Sequence, residues 1–123
     1  MIEYLPFFDK QPETFPLYEA VREMICAAFD NVTVKVQKSQ IVFAGRRNFA
    51  CVWLPPRKIK GRPEVYIILT FGLGDRLEHP RFVESVEPHP GRWTHHVIIQ
   101  STEEVDAQIQ EWLREAYDFA NNK

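Results

Sequence analysis

Four histidines fall within eighteen positions of the chain: His79, His89, His95 and His96. Imidazole nitrogens bind metals and transfer protons. Neighbouring side chains of a strand point to opposite faces, so His95 and His96 cannot chelate one ion together without a bulge. No metal-binding spacing such as His-Glu-x-x-His occurs. We therefore predict no metal site, and we expect one histidine of the pair to be buried and hydrogen-bonded and the other to be exposed.

The two cysteines offer a second kind of chemistry. A nucleophilic thiol needs a nearby base or positive field and some exposure. Cys51 falls in an apolar segment with Phe49 and Trp53, which indicates a small packing residue, and Cys26 falls within the first helix. The sequence contains no nucleophile elbow, phosphate loop or dinucleotide fingerprint. The catalytic residues are thus unknown, and no cofactor is implied.

Arg92 and Trp93 form the most suggestive polar pair, because Gly91 permits a tight turn just before them. Such a pair can stack on and hold a carboxylate, a phosphate or a base. In the alternative interpretation Trp93 caps the core and Arg92 pairs with an acid such as Glu87. The candidate ligand-binding residues, expected around a cleft between residues 75–92 and the sheet, are Arg92, Trp93, His95, His96, Trp53 and Tyr66.

Charge is segregated along the chain, although the formal net charge is only −2. Residues 31–62 carry eight basic residues and no acid, whereas residues 1–30 and 101–123 each sum to −4 and residues 63–100 to −2. This asymmetry has two interpretations: attraction between basic strands and acidic helices, or a docking surface for an anion. The candidate anion-binding residues are Lys35, Lys38, Arg46, Arg47, Arg57, Lys58, Lys60 and Arg62. Since successive loops of a meander emerge at opposite ends of a sheet, these residues need not form one patch.

Hydrophobic periodicity predicts the elements that position these residues. We expect an extended lead-in over residues 1–13 and a helix over 14–30, with Thr14 as N-cap and Pro16 in the first turn. About five strands follow within residues 31–100. A long loop, residues 75–92, is either functional or partly a short strand around Phe82. A capping-box pattern at Ser101 and Glu104 opens the last helix, residues 101–121, whose apolar face includes Trp112.

Together these elements predict a single α+β domain over residues 1–123. An N-terminal helix, an antiparallel sheet of about five strands and a C-terminal helix follow one another, with both helices on one face of the sheet. The longest uncharged, mostly apolar run, 65–74, is about half of what a membrane span needs. No secretory signal is visible, and two cysteines do not suggest a disulfide framework. We expect a cytoplasmic protein that does not contact a membrane.

Four segments carry a resemblance to a known family: residues 39–43, 47–54, 88–96 and 112–117. The stretch of proline, glycine, arginine and tryptophan before a histidine pair is the most specific of them. On these motifs the chain resembles a family of small bacterial domains of unknown function, which is distantly similar to the YdhG-like α+β proteins. The resemblance covers most of the chain and implies an α+β fold with a curved antiparallel sheet. It implies no activity and no catalytic residues.

Three functional hypotheses follow from these observations. The first is a non-enzymatic binding or interaction module for an anionic partner, either a nucleic acid or an acidic protein. The second is an enzyme or small-ligand binder with a pocket near residues 75–92 that includes Arg92 and His95 or His96. The third is a homodimer joined through the uncovered sheet face, at Tyr66, Ile68 and Thr70; the chain is thus expected to be a monomer or a homodimer.

Overall fold

A computed structural model describes residues 5–9, 11–55 and 61–121. Its helices are α1 (Leu5–Phe8), α2 (Phe15–Ala28) and α3 (Ala107–Asn121), with 3₁₀ turns at Pro12–Thr14 and Thr102–Glu104. Its strands are β1 (Thr33–Val36), β2 (Ile41–Ala44), β3 (Asn48–Trp53), β4 (Ile67–Leu73), β5 (Phe82–His89) and β6 (Arg92–Ile99). The order of helix, strands and helix confirms the α+β class.

The six strands form one sheet in the order β1-β2-β3-β4-β6-β5, and every neighbouring pair is antiparallel. Strands β1 to β4 follow one another as a meander. β6 lies beside β4, and β5 folds back onto the outer side of β6 through a tight turn at Gly91, whose φ of 77° suits glycine. The antiparallel prediction is confirmed, but the sheet has six strands rather than about five.

The additional strand is β5, which occupies most of the predicted loop at residues 75–92. Pro88, Glu84 and Glu87 concealed it, because they break the alternation typical of a buried strand. As the outer strand of the sheet, β5 tolerates Pro88 and exposes Val83 and Val86. Its register against β6 shifts twice, between Phe82 and Glu84 and between Val86 and His89. Of the two alternatives for this stretch, the strand around Phe82 is the one present, although it is longer than expected, and the irregular segment is confined to residues 74–81.

Both helices pack on one face of the sheet, as predicted. Buried residues of α2 and α3 join alternate strand residues in one apolar core. This core includes Tyr18, Val21, Ile25, Phe43, Val52, Leu69, Phe71, Val97, Ile109, Trp112 and Leu113. Trp112 is only 5% exposed, which confirms that the apolar side of the last helix faces the sheet.

The face of the sheet opposite the helices is called the second face. The pairing registers align Lys35, Val42, Cys51, Thr70, His96 and Glu84 as one row across six strands on this face. Tyr66, Ile68 and Thr70 are at most 9% exposed within the single chain. They therefore do not offer the exposed apolar surface that motivated the homodimer hypothesis.

The starts of the helices differ from the predictions in detail. The Thr14 hydroxyl does not cap α2; it donates to the Gln11 carbonyl oxygen at 2.7 Å, because Thr14 itself ends a 3₁₀ turn. Pro16 does lie in the first turn of α2. Near the C-terminus, the Glu104 carboxylate accepts the Ser101 N–H at 3.2 Å, but this box begins the short 3₁₀ turn rather than α3.

The described part of the lead-in is not extended, since α1 and a 3₁₀ turn occupy most of residues 5–9 and 11–13; the prediction for residues 1–4 and 10 lies outside the described residues. Its aromatic residues pack onto the domain, and the rings of Phe8 and Phe15 lie 5.1 Å apart. Burial of this aromatic surface outweighs the extended preference expected from Pro6 and Pro12. Within the described residues, no helix is long and apolar enough to cross a membrane.

Candidate functional site

A chain of hydrogen bonds crosses the second face from β3 to β6. The Trp53 indole N–H donates to Thr70 Oγ1 at 2.8 Å, and Thr70 Oγ1 lies 2.7 Å from His96 Nδ1. The hydroxyl accepts from Trp53, and its bond with His96 Nδ1 is donated or accepted according to the tautomer of the ring. The Trp53 and His96 rings meet edge to face at 5.8 Å. All three side chains are therefore fixed by one another.

The pKa values on this face favour neutral groups. Burial lowers the pKa of His96, and Arg62 lowers it further, although the nearby Glu84 charge opposes them. Burial raises the pKa of the Cys51 thiol to about 11, although a hydrogen bond with Thr70 opposes this. Since the thiolate is the reactive form of cysteine, Cys51 is not an activated nucleophile at neutral pH. This supports its interpretation as a packing residue.

His95 points to the other face, into the core. It is fully buried, its Nε2 accepts the Leu77 N–H at 3.0 Å, and its ring stacks on Phe71 with centroids 5.7 Å apart. Burial lowers its pKa, so the ring is neutral. One member of the pair is buried and hydrogen-bonded, as expected, but His96 is half-buried rather than exposed. The two residues share no site.

A groove lies at the end of the sheet where β3 starts and β4 ends, and it extends from the second face to the C-terminal turn of α3. Its narrow part, the head lobe, has a volume of about 40 Å³. The head lobe is lined by Arg47, Asn48, Phe49, Gly72, Arg92, Phe119 and Ala120. Gly72 creates this space: a Cβ at that position would lie 3.4 Å from Arg92 Nε, so the guanidinium lies directly over the glycine.

The wider part of the groove, the body lobe, has a volume of about 180 Å³. It is lined by Gln40, Val42, Asn48, Phe49, Ala50, Cys51, Thr70, Phe71, Gly72, Arg92 and Thr94. Four of these residues, Asn48, Phe49, Gly72 and Arg92, also line the head lobe, so the two lobes are contiguous. The groove thus leads from a pair of arginines to hydroxyl, amide and small apolar groups.

The groove is electropositive. Neither lobe has an acidic residue in its lining, and Arg47 and Arg92 form no salt bridge with any described residue. Glu87, the expected partner of Arg92, accepts the Gly91 N–H at 3.2 Å instead. Lys35 Nζ donates to Asn48 Oδ1 at 3.2 Å, which leaves the N–H groups of the Asn48 amide as donors.

The C-terminal end of α3 holds the turn that carries Arg47. Asn121 Oδ1 accepts the Arg46 N–H at 2.9 Å and the Arg47 N–H at 3.3 Å. Gly45 allows this approach, since a Cβ there would lie 2.8 Å from Asn121 Nδ2 and 2.9 Å from the Tyr117 ring. Helix, turn and groove are therefore connected by direct contacts.

The six predicted ligand-binding residues do not converge. Arg92 lines the groove, whereas Trp53 and His96 belong to the hydrogen-bonded chain beside Thr70. His95 lies in the core. Trp93 is half-buried with Arg76 6.0 Å from its ring centroid, and Tyr66 is 2% exposed. A separate cavity beside residues 76–85 contains none of the six in its lining.

The predicted anion-binding residues are divided between two ends of the sheet. Arg46 and Arg47 lie at the end where β6 starts, and only Arg47 of this pair lines the groove. Lys38 lies in the turn at the opposite end, and Arg62 lies close enough to His96 to affect its pKa. Arg57, Lys58 and Lys60 lie outside the described residues. The meander therefore separates the predicted anion-binding residues. Arg47 instead lines the groove together with Arg92, which lies outside the basic segment.

Sequence reasoning missed Thr70, Gly72, Asn48, Thr94 and Asn121. Gly72 had a usable signal, because a glycine inside a strand often marks a place where another group approaches closely. The roles of Asn121 and Thr94 depend on pairing between distant segments, which no local pattern contains. Among the described residues, no group of three or more His, Cys, Asp or Glu side chains could hold a metal.

Comparison with known proteins gives one match. The model of a family described as "Domain of unknown function (DUF5655)" matches residues 6–120. No curated protein and no solved structure matches the chain. Similarity to the YdhG-like proteins and a bacterial origin therefore stay predictions.

Proposed function

The chain belongs to the DUF5655 family, whose description names no activity, and from the geometry of the groove we propose that it is a non-enzymatic binding module for an anionic partner. The partner presents an oxyanion, a phosphate or a carboxylate, to Arg47 and Arg92. A nucleic acid and an acidic protein are the two expected sources of that group. The domain is proposed to act in the cytoplasm.

The observation that supports this proposal is the convergence of Arg47 and Arg92 on one cavity without a carboxylate in its lining. Guanidinium groups hold oxyanions through paired N–H donors, and such charge-assisted bonds are stronger than neutral ones. Neither of these two arginines forms a salt bridge within the described part of the chain, so both guanidinium groups keep their donors for a ligand.

Binding is favoured over catalysis by the state of the nearby reactive groups. The Cys51 thiol, with a pKa of about 11, stays protonated at neutral pH. The Thr70 hydroxyl is held between Trp53 and His96 and is at most 9% exposed. A nucleophile needs an exposed, activated group, and neither side chain provides one.

The proposal is tested by following ¹⁵N–¹H NMR spectra during titration with three probes: inorganic phosphate, a short thymidine oligonucleotide and polyglutamate. Wild type is compared with the double variant Arg47→Gln/Arg92→Gln. The matched control is Arg46→Gln/Arg62→Gln, which removes two positive charges outside the groove. Salt is kept at about 50 mM, where phosphate contacts are strong.

Saturable binding of at least one probe, lost in Arg47→Gln/Arg92→Gln and retained in the control, supports the proposal. The oligonucleotide and polyglutamate arms distinguish a nucleic-acid partner from an acidic protein. If no probe binds, or if both double variants lose binding equally, the groove is not an anion-binding site and the proposal is wrong.

A further inference from the structure

The two lobes of the groove differ in size and chemistry, and this difference limits what the groove can hold. A water molecule needs about 10–15 Å³ of such space. The head lobe, at about 40 Å³, therefore accepts a compact group of a few atoms but not a ring. The body lobe, at about 180 Å³, accepts a larger group, and its lining is uncharged apart from Arg92.

The donors around the head lobe outnumber the oxygens of a carboxylate. Two guanidinium forks present up to four N–H groups, and the Asn48 amide adds its own N–H donors. A carboxylate offers two oxygens. A terminal phosphate offers three oxygens and about −1.5 to −2 charges, which approaches the charge of two arginines. The head lobe thus suits a terminal phosphate better than a carboxylate or a singly charged phosphodiester.

The body lobe adds directional polar contacts beside a small apolar floor. Gln40 and Thr94 contribute an amide and a hydroxyl, while Val42 and Ala50 contribute apolar surface. The two aromatic residues of the lining, Phe49 and Phe71, are only 3% and 1% exposed, so neither presents a ring face on which a nucleobase could stack. This lining suits the short, uncharged, hydroxyl-bearing body of a small molecule.

Resting on the anion-binding part of the proposed function, we infer that the oxyanion belongs to a small organic phosphate monoester and not to a nucleic acid or an acidic protein. The monoester's dianionic terminal phosphate lies in the head lobe between Arg47 and Arg92, and its polar body lies in the body lobe. A Cβ at Gly72 would already touch Arg92, at 3.4 Å from Nε, so a branched side chain there is expected to displace the guanidinium. Asn121 Oδ1 accepts the backbone N–H groups of Arg46 and Arg47, which are in the turn at the edge of the head lobe.

Isothermal titration calorimetry with methyl phosphate and dimethyl phosphate tests this inference. The two probes are similar in size, but only the monoester carries a second negative charge. We expect methyl phosphate to bind at least about tenfold more tightly than dimethyl phosphate. Its affinity is expected to fall when the pH is lowered through about 6, where the second phosphate proton binds.

Three variants locate the site. Arg92→Gln and Gly72→Val are expected to abolish methyl phosphate binding, whereas Arg46→Gln, next to Arg47 but outside the lining, is expected to retain it. Far-ultraviolet circular dichroism and the urea midpoint check that each variant is folded. If Gly72→Val does not fold, Arg47→Gln replaces it, since Arg47 is exposed and lines the head lobe.

Failure of this inference is distinguishable from failure of the proposed function. If the oligonucleotide or polyglutamate binds in an Arg47- and Arg92-dependent way while methyl phosphate binds no better than dimethyl phosphate, the ligand is not a small monoester, and the anion-binding proposal stands. If Arg46→Gln weakens methyl phosphate binding as much as Arg92→Gln does, the placement in the head lobe is wrong. If none of the anions binds, both proposals are wrong.

Discussion

Thr70 is the residue that organises the second face. It accepts the Trp53 indole N–H and lies 2.7 Å from His96 Nδ1, so two aromatic side chains depend on one hydroxyl. It also borders the body lobe of the groove. Removing the hydroxyl leaves the Trp53 N–H and His96 Nδ1 without partners in a mostly buried place, which costs more than the loss of one hydrogen bond.

Replacing Thr70 with Val keeps the shape of the side chain and removes its hydrogen bonds. We expect the free energy of unfolding to decrease by about 1–3 kcal/mol, measured by urea denaturation. Thr70→Ser, which keeps the hydroxyl, serves as the control and is expected to lose less. Equal losses in the two variants would show that packing, and not the hydrogen-bonded chain, stabilises this face.

The paired histidines make stability depend on pH. Burial lowers the pKa of His95 and of His96 below the ordinary 6.5, so near that pH the folded chain binds fewer protons than the unfolded chain. Their contribution to stability is therefore complete above 6.5 and is lost as the pH falls below it. We expect urea unfolding to give a lower free energy at about pH 5.5 than at about pH 7.5.

The variant His96→Gln tests whether His96 causes this pH dependence of the free energy of unfolding. Glutamine can still hydrogen-bond with the Thr70 hydroxyl, but it does not titrate, so the difference between the two pH values is expected to shrink. A wild type equally stable at both pH values, or a variant with an unchanged difference, contradicts the assignment.

At the scale of the elements, the structure shows which parts of the fold could be predicted from local sequence patterns. The apolar side of α3 and strand β4 were predictable, because their periodicity directly reflects burial. Strand β5 was not predictable as a full strand, since an outer strand needs no continuous apolar face. Likewise, Arg47 and Arg92 line the same groove because β6 lies beside β4. That contact joins segments that are distant in the chain.

Arg81 connects the start of β5 to the start of α3. Its guanidinium donates to both Asp106 carboxylate oxygens, at 3.1 and 3.2 Å, and to the Glu104 carbonyl oxygen at 2.7 Å. Partial burial would raise the pKa of Asp106, but hydrogen bonds from the Ile109 N–H and from Arg81 lower it overall. The ion pair therefore contributes to stability above the ordinary pKa of 3.8 and less as the pH falls below it.

Arg81→Ala is expected to reduce the free energy of unfolding by about 1 kcal/mol near neutral pH, because the pair is partly exposed to solvent. Thermal or urea unfolding measures the change, and the same comparison at about pH 3 is expected to give a smaller difference. The surface variant Arg76→Ala, whose partner Glu78 is largely exposed, serves as the control and is expected to change little. A loss in Arg81→Ala that does not depend on pH would show that Asp106 is not the important partner.

At the scale of the whole molecule, the basic residues of the sequence are divided between the two ends of the sheet. The net charge of −2 does not describe either of them. One end of the sheet brings Arg47 and Arg92 to a groove without acids, and the row of side chains across the second face connects that groove to His96 and Glu84. The charge pattern alone left two interpretations open, internal attraction and a docking surface for an anion, and only the fold brings Arg47 and Arg92 to one groove.

The most direct test of this convergence is to observe the two guanidinium groups themselves. Arginine Nε–Hε signals, assigned from Arg47→Gln, Arg92→Gln and Arg46→Gln, are followed by NMR as inorganic phosphate is added. We predict that the Arg47 and Arg92 signals shift together with one common midpoint, while the Arg46 signal stays in place. Separate midpoints for Arg47 and Arg92, or shifts shared equally by Arg46, would contradict a single site between these two side chains.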